Sequence, residues 1–101
     1  MNVEVRTNGS EATLTLPMRF DHSMLSDFRS AFTGLLGDDQ VEKIVVDCSR
    51  LTFIDSLGLG LLLVLREKAS ERNIKVALAG AIDRIRKILW IANFNSLFEI
   101  A

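Results

Sequence analysis

Two apolar runs that read as strands, Ile44-Val45-Val46 and Val76 to Ala79, are separated by a stretch with helical spacing from Ser56 to about Asn73. Strands joined through a helix run parallel, whereas antiparallel neighbours need only a tight turn. A second unit of the same kind follows. Gly80 turns the chain into a helix with Asp83 near its start, Ile85, Ile88, Leu89 and Ala92 recur at spacings of three and four, and Leu97 to Ile100 reads as a short strand. Upstream, Val3 and Val5, then Ala12, Leu14 and Leu16, alternate with polar neighbours across the turn residues Asn8-Gly9-Ser10. That pattern predicts an antiparallel hairpin, which Pro17 ends because it lacks an amide hydrogen. Phe20 to Ser23 leads into a helix marked by Leu25, Phe28, Phe32, Leu35 and Leu36, with Gly34 and Gly37 at its exit.

The predicted order is therefore strand, strand, helix, strand, helix, strand, helix, strand. It defines an α/β fold: a mixed β-sheet, made of an N-terminal hairpin plus parallel strands, packed with three main helices. The unbroken apolar character of Ile44 to Val46 and Val76 to Ala79 predicts strands covered on both faces. The 101 residues suffice for one domain, 1–101, with a modest core and no visible linker or repeat.

In the long helix, Leu59, Leu62, Leu63 and Ala69 are expected to point inward, while Arg66, Glu67, Lys68, Glu71 and Arg72 make the later turns polar outside. Leu57, Leu61 and Val64 lie off that stripe, so the first turns are apolar nearly all round. Such a surface is either deeply buried or meets a partner. Trp90 falls far from the inward stripe of its own helix and is expected to be exposed, a common property of interface anchors. It would serve a homodimer as readily as another protein.

Charge and composition exclude several functions. A net charge of −1 supplies no basic surface for a phosphate backbone, so no nucleic-acid partner is expected. The apolar run Leu57 to Leu65 is too short to span a bilayer, and Met1 to Arg6 does not read as a signal peptide. No membrane partner and a cytoplasmic location are the expectations. Cys48 is the only cysteine and is expected to be a small core residue. His22 is the only histidine, so neither a zinc site nor a Ser-His hydrolytic triad is expected, and no catalytic residue or cofactor is assigned.

The remaining chemistry gathers in Ile54-Asp55-Ser56-Leu57-Gly58-Leu59-Gly60, where a strand-like run ends and the long helix begins. Asp55 or Ser56 can cap the helix by accepting hydrogen bonds from its free amides. The same helix end favours an anion, such as a phosphate carried by Ser56. Gly58 and Gly60 each lower helix propensity by up to about 1 kcal/mol, which is expected only where something approaches the backbone closely; a partner is the reading adopted. Gly58-Leu59-Gly60 is not a dinucleotide fingerprint, since Leu63 stands where the third glycine belongs.

This motif resembles the phosphorylation site of STAS-domain anti-sigma factor antagonists, with Leu57 replacing a second Ser or Thr found in many members. The similarity extends to Arg19-Phe20-Asp21, Ile44-Val45-Val46-Asp47 and Arg86-Lys87-Ile88-Leu89, although many members continue past residue 101 into a final helix. The resemblance implies a STAS fold, phosphorylation of Ser56 and a non-enzymatic regulatory role. It further implies that Asp21, otherwise a cap for the first helix, contacts the anti-sigma kinase; Asp55, as a cap or as a residue orienting the serine, Leu57, Gly58 and Leu61 at the apolar helix start, and Trp90 from its helical phase complete the expected partner-binding positions. The implied partners are an anti-sigma factor or serine kinase of the histidine-kinase-like ATPase type and a resetting PP2C-type phosphatase, free or within a response regulator. The unphosphorylated protein would hold the anti-sigma factor and release a sigma factor; phosphorylation would end that contact. The ending from Ile85 to Phe98 looks like that of small antagonists tied to biofilm and motility control. The alternative is a constitutive STAS subunit of a transport complex docking on an ATPase. A third reading is a small-ligand binder using the cleft beside the helix start.

Overall fold

The computed structural model describes residues 3–101. Its hairpin consists of β1 (Glu4–Asn8) and β2 (Glu11–Thr15), antiparallel and turned at Gly9, whose φ of 65° suits a residue without a side chain. A short strand β3 (Arg19–Phe20) and a 3₁₀ turn (His22–Met24) lead into α1 (Leu25–Leu36). Then come β4 (Lys43–Asp47), a short β5 (Phe53–Ile54), α2 (Ser56–Glu71), β6 (Lys75–Ala79), α3 (Asp83–Ile91) and β7 (Glu99–Ile100). The main sheet has five strands in the order β1-β2-β4-β6-β7, with every pair after the hairpin parallel. The hairpin, the three helices and the mixed sheet agree with the sequence reading.

Each parallel connection steps one strand further in the same direction, from β2 to β4 to β6 to β7. Right-handed crossovers in one direction place all three helices on one face. The register shows the consequence. Ala12, Leu14, Ile44, Val46 and Leu78 are buried beneath the helices, whereas their strand neighbours Thr13, Thr15, Lys43, Val45 and Asp47 remain partly exposed. The expectation that β4 is covered on both faces is thus corrected: its apolar run includes Val45, which lies on the face without helices. Ala77, on that same face, is nonetheless buried.

α1 buries Phe28, Phe32 and Leu35, and Phe28 stacks edge-on between Phe20 and Phe32 with centroids 4.9 Å and 5.5 Å away. α3 buries Ile85 and Leu89 as its phase predicts. The inward stripe of α2 is rotated from the expected one. Gly58, Leu61, Leu62, Leu65 and Ala69 are buried, Leu59 and Val64 are partly buried, and Leu63 is exposed. With apolar residues on nearly every side of its first turns, the helix left its phase to be decided by the sheet beneath it.

Candidate functional site

The short pair β3–β5, which the hydrophobic pattern of two-residue strands cannot reveal, organises this end of the molecule. Arg19 pairs with Phe53 and Phe20 with Ile54, in parallel register. The next residue of each segment is an aspartate, Asp21 after β3 and Asp55 after β5. Both cap a helical turn. Asp21 accepts hydrogen bonds from the amide and hydroxyl of Ser23, at 2.9 Å and 2.6 Å, and those bonds hold its carboxyl below the usual carboxylate range. Asp55 Oδ1 accepts from the Gly58 amide at 2.8 Å, and its extended backbone (φ −106°, ψ −178°) is that of an N-cap.

Capping by Asp55 decides the position of Ser56. The serine is the first residue of α2, exposed, and its hydroxyl is not needed to terminate the helix. Aligned peptide dipoles place partial positive charge at this end, which favours an added phosphate, while the neighbouring Asp55 carboxylate opposes it.

Gly58 has a different role from the one its position in the motif indicates. A β-carbon there would run into the carbonyl oxygen of Phe20 and stand 2.9 Å from Ile54 Cγ1. The close approach therefore comes from the protein's own β3–β5 pair, and Gly58 is buried, so it offers no partner contact. Leu61 is also buried, with 3% of its surface accessible. Both are removed from the expected contact surface because the inner side of α2 faces its own sheet. Gly60 meets nothing within 4 Å, so a strip of bare helix backbone lies open one turn below Ser56.

The apolar side chains exposed on the elements around Ser56 are Leu57 (43%) and Leu63 (38%) on α2, Phe53 (37%) and Met18 (50%). The Met18 carbonyl accepts from the Thr52 and Phe53 amides at 2.8 Å and 3.1 Å, so Met18 travels with the β3–β5 pair. Arg19 lies 4.2 Å from the Phe53 ring centroid, a cation–π contact that fixes its side chain on this surface. Met18, Phe53 and Leu63 are members that hydropathy alone did not single out. Trp90 is exposed on α3, as its phase predicts, together with the still more exposed Ile91. Trp90 stands at the C-terminal end of its helix, whereas the start of α3 is tied to the loop before Ser56 by the Arg84 guanidinium donating to the Thr52 carbonyl.

Such an arrangement, a sheet with helices on one face and an exposed serine opening a helix that a short parallel pair holds in place, defines a fold of the STAS type. Residues 2–101 match the STAS domain model, and the chain belongs to that family. It is 38% identical over 94 residues to a STAS-domain containing protein of Pseudomonas aeruginosa (strain UCBPP-PA14), an alignment covering 93% of this chain and 91% of that one. Among solved structures it is similar to an anti-sigma-factor antagonist (STAS) domain protein from Planctomyces limnophilus, with a TM-score of 0.85, 15% identity and coverage of 99% and 89%. It is also similar to the Bacillus protein SpoIIAA, an anti-sigma factor antagonist. The unphosphorylated form gives a TM-score of 0.76 at 18% identity, covering 98% of this chain and 86% of that one, and the phosphorylated form gives 0.76 at 19%, covering 98% and 90%. No helix among the described residues is long and apolar enough to cross a membrane.

Proposed function

We propose that this chain acts as a single STAS domain and as an anti-sigma factor antagonist whose binding is switched by phosphorylation of Ser56. The observation that carries the reading is the division of labour at the start of α2. Asp55 caps the helix, and Ser56 stands exposed beside Leu57 on an apolar surface. An unphosphorylated Ser56 leaves that surface neutral enough for a protein partner to dry it. A phosphate adds up to about two negative charges in the middle of the contact, and their desolvation weakens association. The two forms of SpoIIAA match this chain equally well, which supports a switch that works on the surface without refolding the domain.

The partner proposed is an anti-sigma factor or serine kinase of the histidine-kinase-like ATPase type, met by Ser56, Leu57, Asp55 and Asp21, with a PP2C-type phosphatase as the resetting enzyme. Release of a sigma factor in the cytoplasm, and through it control of transcription in biofilm formation, follows from the same reading. The test is intact-mass measurement and site mapping on protein purified from its own cells, wild type against Ser56→Ala, before and after phosphatase treatment. One phosphate that disappears in the variant is the expected result. Absence of phosphate under every growth condition, together with a transport ATPase that copurifies with both proteins, would replace the switch with a constitutive docking subunit.

A further inference from the structure

A groove of about 640 Å³ runs between α1 and α2, on the helical layer of the molecule. Its apolar lining comes from Phe32 and Leu36 of α1 and Val64 of α2, and its charged lining is Arg29, Lys68 and Arg72. All three charged groups are cations, in a chain whose net charge is −1. Among the described residues only Arg72 of the three has an ion-pair partner: Asp39 lies 3.8 Å away, but that carboxylate is 98% exposed and the pair is held weakly.

The spacing of these residues indicates the shape of an occupant. Val64 and Lys68 of α2 and Arg72, the residue that caps its C-terminal end, follow one another at every fourth residue, and Arg29, Phe32 and Leu36 lie three and four apart along α1. Each helix therefore presents a ridge of about two turns, about 11–12 Å long at 1.5 Å per residue. Two such ridges with an apolar floor accept a third helix, whose own apolar residues fall three, four and seven apart. The cations select its charge.

We propose that this groove docks an acidic amphipathic helix of the protein partner, with carboxylates set against Arg29, Lys68 and Arg72 and an apolar stripe on Phe32, Leu36 and Val64. The inference rests on the reading that the chain binds a protein through the Ser56 end of α2. Leu57, exposed beside Ser56, precedes Val64 by seven residues and so lies on the same side of α2. The groove thus extends the Ser56 surface along the helix. A carboxylate-rich segment that lies in the groove and continues past Leu57 would be drawn by the three cations and repelled by a phosphate on Ser56, eight residues and about 12 Å up the helix from Val64, which gives the switch its sign.

The test uses a synthetic helical peptide with leucines three, four and seven apart flanked by glutamates, titrated into the ¹⁵N-labelled protein and followed by amide chemical shifts. The expected result is saturable shifts confined to residues around Arg29, Thr33, Val64 and Lys68, and binding at least about tenfold weaker in the Arg29→Glu/Lys68→Glu double variant. Both substitutions are on exposed positions, and unchanged circular dichroism will show that the variant folds. Equal binding by the lysine-flanked version of the peptide would overturn the proposal. So would the absence of saturable shifts, or shifts centred on Arg84, Arg86 and Lys87 of α3 with a change in Trp90 emission. None of these outcomes depends on phosphorylation, so the Ser56 switch stands or falls separately on the mass mapping.

Discussion

The backbone of Gly58 packs directly against the carbonyl of Phe20 and the Ile54 side chain, with no room for a β-carbon. Two residues further on, about half a turn round the helix, Gly60 faces open space. Two glycines that look equivalent in the sequence therefore have opposite physical reasons to be there.

Substitution of each separates the two. Gly58→Ala forces the helix away from the β3–β5 pair and is expected to destabilise the fold by about 1–3 kcal/mol, the usual cost of overpacking. Gly60→Ala fills empty space in a helix and is expected to stabilise by up to about 1 kcal/mol. Urea denaturation of the two variants measures both; equal effects would contradict the packing described.

Asp55 and Ser56 divide capping from exposure, and their variants are expected to divide stability from binding. Asp55→Ala loses the bond to the Gly58 amide and is expected to lower stability by about 1 kcal/mol. Ser56→Ala is expected to stay within about 0.5 kcal/mol of the wild type. Ser56→Asp is expected to leave stability equally unaffected while weakening affinity for the proposed anti-sigma partner, as read by calorimetric titration. Unchanged affinity would remove the electrostatic mechanism.

Burial pushes the Cys48 thiol up to about 12 from its ordinary value of 9.0, with the nearby Asp47 charge adding to the effect. A thiol harder to ionise in the folded state stabilises the fold below the unfolded pKa, and that contribution disappears as pH rises through the window from 9.0 to about 12. Stability measured across that range is expected to fall in the wild type and to fall less in Cys48→Ala. At neutral pH, thiol reagents are expected to label Cys48 only at the rate of unfolding.

Trp90 is the only tryptophan and the chain has no tyrosine, so its fluorescence reports one site. With 66% of its surface exposed, it is expected to emit near the wavelength of indole in water, to be quenched by acrylamide almost as well as free tryptophan, and to change little on unfolding. Trp90→Ala is expected to alter stability by less than about 0.5 kcal/mol. A strongly blue-shifted emission in the free protein would show that something covers this side chain in solution.

Local chemistry fixed much of this molecule before any tertiary contact. The turn at Asn8-Gly9-Ser10, the end of β2 at Thr15 shortly before Pro17, the inward stripe of α3 and the exposure of Trp90 all follow from backbone freedom and helical phase, which a short window of residues contains. The strand-helix alternation likewise determined the mixed sheet. Three matters were decided only by the assembled fold. The phase of α2 was ambiguous because Leu57, Leu59, Leu61, Leu62, Leu63, Val64 and Leu65 leave no polar face to orient its first turns, and packing on the sheet chose Leu61, Leu62 and Leu65 as the inner set. The strands β3 and β5 are two residues each, too short for any periodicity, and exist because they pair with one another across 32 intervening residues, 21–52. The uncovered face of β4 depends on the direction of three successive crossovers, a property of the whole chain that the apolar sequence of a single strand does not carry.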